Sequence, residues 1–191
     1  MSLTAQARAI AATVALGVAF YIVFAIAGEP WGTLNDISGA VLAALMAQLA
    51  WSTRQSWRAP RWALGGALVG AAVAILGSAL VIFHVTGWFL AGLVTTLGFA
   101  GVGVWLLGVN RGRSRLATAA GVLMAAGVIV APGVVLRYDD VASAPAWIYA
   151  GFAGWLGLLL FPVWLYRASR HAVPTAPAAA LAGEAPEPGP A

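Results

Sequence analysis

The chain has 191 residues, of which 62% are hydrophobic and only 8% charged, and its mean hydropathy is +0.90. A soluble domain carries about 25% charged residues, so this sequence lacks the polar surface to cover a water-soluble globule. Its formal net charge is +4, with ten arginines, no lysine and no cysteine. That excludes Lys Schiff-base chemistry, disulfides, thiol redox work and thiolate metal sites.

Apolar segments separated by polar breaks run over residues 9–27, 34–51, 62–84, 88–109, 116–136 and 147–166. Each is long enough to cross a hydrocarbon core at about 1.5 Å per residue, and each is twice the length of a barrel strand. The fold class expected is therefore an all-α integral membrane protein. It has six transmembrane helices arranged as three helical hairpins, and residues 1–171 form the membrane domain. The first segment has a rival reading, because Arg8, an apolar run and Ala25-Ile26-Ala27 have the form of a secretory signal with its cleavage site. Residues 172–191 are rich in alanine and proline and read as a disordered tail.

The arginines fix an orientation. Arg8 precedes the first span; Arg54, Arg58 and Arg61 separate the second from the third. Arg111, Arg113 and Arg115 separate the fourth from the fifth, and Arg167 and Arg170 follow the sixth. Nine of ten thus fall on one side of a six-span chain. Outside the tail, Glu29, Asp36, Asp139 and Asp140 fall on the other. Positive charge is retained on the cytoplasmic side, which places both termini in the cytoplasm. The lysine-free, Ala/Gly/Arg-rich composition points to a high-GC bacterium, and so to a bacterial cytoplasmic membrane. The basic balance follows topology and implies no nucleic acid; the lipid bilayer is the expected partner.

Tryptophans supply two belts at the expected headgroup levels. Trp31, Trp88 and Trp147 mark the outer boundary, and Trp51, Trp57, Trp62, Trp105 and Trp164 the inner one. Trp155 falls near mid-span, where it fills a packing gap. A weak internal duplication relates the third and fourth spans to the fifth and sixth: Trp88-x-x-Ala91-Gly92 recurs as Trp147-x-x-Ala150-Gly151, and Trp105-Leu106 as Trp164-Leu165. Two belts at fixed separation also impose that spacing on any span.

The residues that invite a role are few. Gly66, Gly70, Ala74 and Ser78 recur every fourth position and form a smooth packing stripe on the third span; Gly92, Thr96 and Ala100 repeat the idea on the fourth. Thr33 and Asp36 have the spacing of a capping box opening the second span. Asp36, His84, Asp139 and Asp140 share the outer face, where an acid/base or metal cluster is conceivable, although no metal-binding spacing supports it. Pro132-Gly133 and Pro162 are expected to kink helices near span ends. No ionisable side chain falls near mid-depth, which argues against a proton pump or voltage sensor.

No motif names a chemistry and no cofactor is implied. The leading expectation is a non-enzymatic accessory or assembly subunit, or a homo-oligomer, built by small-residue helix packing. A small transporter or channel for an uncharged solute is the second; it requires a cavity lined by Gln48, Ser78, Thr95 and Thr96. An enzyme at the outer interface is the third.

Overall fold

The computed structural model describes residues 2–171; the tail expected over residues 172–191 lies outside them. The described residues form eight α-helices and no strands. These are α1 (Leu3–Ala27), α2 (Trp31–Thr53), α3 (Arg61–Ile82), α4 (Trp88–Asn110), α5 (Arg115–Ala125), α6 (Ala131–Val135), α7 (Ala146–Gly151) and α8 (Gly154–His171). Taking α5 with α6 and α7 with α8, six helical units are long and apolar enough to cross a membrane.

Two units are not the continuous helices expected. Between α5 and α6 the backbone tightens into a 3₁₀ segment over Ala126–Val130. Pro132 explains the place: it has no N–H to donate, and its ring crowds the carbonyl four residues earlier, at Val128. The break between α7 and α8 falls at Phe152–Ala153, flanked by Gly151 and Gly154. Both glycines press on the α5–α6 unit; a Cβ at Gly154 would lie 3.3 Å from the Leu123 carbonyl oxygen. Pro162, expected to kink a helix, sits inside α8, which runs through it.

The units close a ring in the order α1, α2, α3, α4, α5, α8 and back to α1, with α4 also reaching α2, α6 and α8. Helix α4 is consequently the most buried, its interior positions running from Phe89 to Asn110. The main core joins all six units along α4, through Met46, Leu49, Phe99, Trp105, Met124 and Phe161. A smaller core, around Phe89, Leu93, Val130 and Ile148, ties the start of α4 to α6 and α7.

The α3–α4 contact is backbone against backbone. A Cβ at Gly98 would stand 2.6 Å from the Gly70 carbonyl oxygen, and one at Gly101 2.5 Å from that of Gly66. No real side-chain carbon tolerates such distances, so glycine is what lets the two helices meet. On its other side α4 meets α5 equally closely, at Gly103 and Gly121.

Candidate functional site

The polar and aromatic side chains of this chain gather in three places: the arginine-bearing end, the opposite end, and the middle of the bundle.

At the arginine-bearing end, a hollow of about 200 Å³ is lined by Ser56, Trp57, Val109, Asn110, Arg113, Ser114 and Trp164. It brings the α2–α3 connection, the α4–α5 turn and α8 to one end. The turn is held by buried Asn110, whose amide donates to the Ser114 carbonyl (3.1 Å) and the Thr118 hydroxyl (2.8 Å) and accepts from the Ser114 N–H (2.9 Å). Ser114 then caps α5 by accepting the Ala117 N–H. Under the hollow, Trp57 stacks on Trp105 with centroids 5.8 Å apart and meets Trp164 edge-on at 5.5 Å. Trp105 is completely enclosed, and its indole N–H has no acceptor among the described residues.

This corrects the inner tryptophan belt. Trp51 and Trp62 are exposed at that level as expected, whereas Trp105 and Trp164 are buried inside the bundle. Spacing along a helix gives a residue's depth and says nothing of which way it faces. Trp105 and Trp164, the matching pair of the suggested duplication, both touch Trp57, one stacked on it and the other edge-on. The units that carry them differ, since α4 is continuous and α7–α8 is broken.

At the opposite end, a hollow of about 380 Å³ is lined by Val85, Thr86, Gly87, Leu90, Arg137 and Asp139. His84 and Arg137 stand beside it with φ near 55°, and each serves the same backbone purpose. In both, the following residue's N–H reaches back five positions, Val85 to Leu80 (2.8 Å) and Tyr138 to Gly133 (3.0 Å). That bond closes a helix C-terminus through a left-handed residue. Arg58 does likewise after α2, with Ala59 bonded to Arg54. Asp140 caps the short turn Val141–Ser143 by accepting the Ala142 N–H. Asp36 is half-buried in the second turn of α2. Among the described residues, no three His, Asp or Glu side chains come close enough together to hold a metal ion.

The capping box expected of Thr33 and Asp36 is replaced by an earlier carboxylate. Helix α2 begins at Trp31, and Glu29 accepts both the backbone N–H (3.2 Å) and the hydroxyl (3.0 Å) of Thr33. The helix starts three residues before the apolar run does, so Thr33 lies inside it.

The four residues expected to line a cavity are dispersed. Gln48 is exposed on the outside of α2. Ser78 is buried facing Gly39 of α2, while the α4-facing row of Gly66, Gly70 and Ala74 continues through Gly77, which packs on Thr95. Of the expected α4 row, Thr96 and Ala100 face Gly127 beside α5, and a Cβ at Gly92 would meet nothing within 4 Å. The Thr95 and Thr96 hydroxyls donate to carbonyls of their own helix, Ala91 (3.0 Å) and Gly92 (2.7 Å). Trp155 then donates its indole N–H to the Thr96 oxygen (3.1 Å), linking α8 to α4, and meets Tyr21 of α1 edge-on. Its mid-span position was legible in the sequence; its bond to Thr96 carried no sequence signal.

Comparison with known protein families, with characterised proteins and with solved structures finds no match to this chain. The site residues therefore rest on their geometry alone.

Proposed function

We propose that this chain is a multi-pass protein of a bacterial cytoplasmic membrane, with both termini cytoplasmic. It acts without catalysis, as an accessory or assembly subunit that packs its helices against another membrane chain. The observation that carries this reading is the state of α1. Of its 25 residues only Gln6, Ala7 and Ile10 are buried. Leu16, Val18, Tyr21, Ile22 and Ile26 are exposed, and at 100° per residue they span more than half the helix circumference. A helix so lightly held by its own bundle presents a wide apolar arc to neighbours.

The interior supports the same reading. Its hydroxyls are bonded within their own helices, and the α3–α4 and α4–α5 contacts are closed by glycine backbone. The dispersal of Gln48, Ser78, Thr95 and Thr96 weighs against solute passage, and the capping work of His84 and Asp140 weighs against an outer active site.

The test is gentle extraction from the native membrane followed by native mass spectrometry. A stoichiometric assembly, with its own kind or with another membrane protein, is expected. A lone monomer that retains its annular lipids would overturn the reading.

A further inference from the structure

The exposed positions of α2 are Ile37, Val41, Ala44, Gln48 and Trp51, with Ser52 beside the last. Their spacing of 4, 3, 4 and 3 residues makes one straight row, the spacing along which two helices wind round each other. A face meant only for lipid has the same spacing, because the other side of α2 is packed. What sets this row apart is Gln48. An amide carries two donor hydrogens and a two-lone-pair acceptor, and in hydrocarbon each unsatisfied group costs several kcal/mol.

The direction of α2 turns Gln48 away from the nearer headgroup level. Trp51, with the Arg54 guanidinium 4.2 Å over its ring, marks the nearer headgroup level, and Gln48 lies about 4.5 Å deeper along the axis. Side chains on a helix lean toward its N-terminus. The N-terminus of α2 is at the far end of the span, so Gln48 leans toward the bilayer centre.

We infer that α2 pairs with α2 of a second copy of this chain along this row, with Gln48 bonded to Gln48 of the partner subunit. Copies inserted in one orientation are related by a two-fold axis along the membrane normal, which sets the two α2 helices parallel and every residue opposite itself. An amide is the side chain that satisfies itself in that position, each N–H donating to the other's carbonyl. A carboxylate or guanidinium there would repel its copy, and the row from Ile37 to Trp51 carries neither. Ala44, one turn away, is small enough for close approach, and a single polar residue in such a seam fixes register. The inference rests on the assembly reading above and names the partner.

The chain has no cysteine, so single cysteines report contacts directly. In native membranes, Val41→Cys and Ala44→Cys are expected to form disulfide-linked dimers on mild oxidation. Val69→Cys and Leu76→Cys, on the exposed side of α3, are expected not to. By single-molecule photobleaching of the full chain diluted into liposomes, Gln48→Leu should weaken dimerisation about tenfold, while Gln48→Asn keeps most of it. Equal cross-linking from α3, or none from α2, overturns the pairing whether or not Gln48→Leu folds. So does a Gln48→Leu dimer as tight as the parent's. Cross-links from α2 to a different protein would remove self-pairing and leave the assembly reading standing; a lone monomer in native membranes removes both.

Discussion

His84 shows how a residue with a suggestive chemistry takes a purely conformational place. Its φ of 55° puts it in the left-handed region, where a residue with a Cβ costs about 1–2 kcal/mol more than glycine. It ends α3 through the bond from Val85 to Leu80, as Arg137 ends α6 and Arg58 closes α2. Glycine is the residue that such a position favours. His84→Gly is accordingly expected to stabilise the protein by up to about 1 kcal/mol, part of the gain being offset by the greater freedom of glycine in the unfolded chain. Thermal unfolding in detergent reads the change directly. A destabilised variant would show that the imidazole contributes something the backbone account lacks. None of this was visible in the sequence, where a histidine closing an apolar run looks the same whether it binds, catalyses or caps. The Asn110 turn was hidden for a similar reason: its three hydrogen bonds depend on Arg111 and Gly112 adopting positive φ, which no side-chain pattern announces.

At the scale of the helix, depth was legible and direction was not. The helices are apolar nearly all round, so polarity alone does not say which side is inside. The apolar segments gave the six units, with ends at most six residues from those observed, and the tryptophan spacing placed Trp57, Trp105 and Trp164 at one level. They left open that Trp105 and Trp164 turn inward while Trp51 and Trp62 turn outward. The glycines resolve direction only once the partners are known. Gly98 and Gly92 are six residues apart on the same helix, which turns them to different sides; one touches the backbone of α3 and the other touches nothing. The two should answer differently to the same change. Gly98→Ala forces a methyl against the Gly70 carbonyl, and overpacking of this kind typically costs 1–3 kcal/mol. Gly92→Ala meets open space and gains up to about 1 kcal/mol of helix propensity. Unfolding midpoints moving in opposite directions are expected. A Gly98→Ala variant as stable as Gly92→Ala would mean that α3 and α4 pack less closely than their glycines allow.

For the whole molecule, the fold provides a reason for the charge pattern that does not depend on counting spans. The hollow bounded by Trp57, Asn110, Arg113 and Trp164 joins the α2–α3 connection, the α4–α5 turn and helix α8 at one end. Gln6 of α1 bonds Ser52 of α2 across the same end, which brings Arg8 there too. Eight of the remaining arginines lie on these segments, and Arg137 alone lies beside the other hollow. Two ends of opposite character are thus built into the bundle, and the proposed orientation assigns the arginine end to the cytoplasm. Single cysteines test it. Arg113→Cys lies in the α4–α5 turn and Ala142→Cys in the connection beyond α6, both exposed and neither in a helix of more than one turn. A membrane-impermeant maleimide applied to intact cells should label Ala142→Cys and spare Arg113→Cys until the membrane is opened. Removal of one arginine from a group of three should not invert the chain, since Arg111 and Arg115 remain on that turn. Labelling of Arg113→Cys from outside would reverse the orientation while leaving the bundle intact. Labelling of both from outside would show that the two ends share a compartment, and the six-span reading would fall with it.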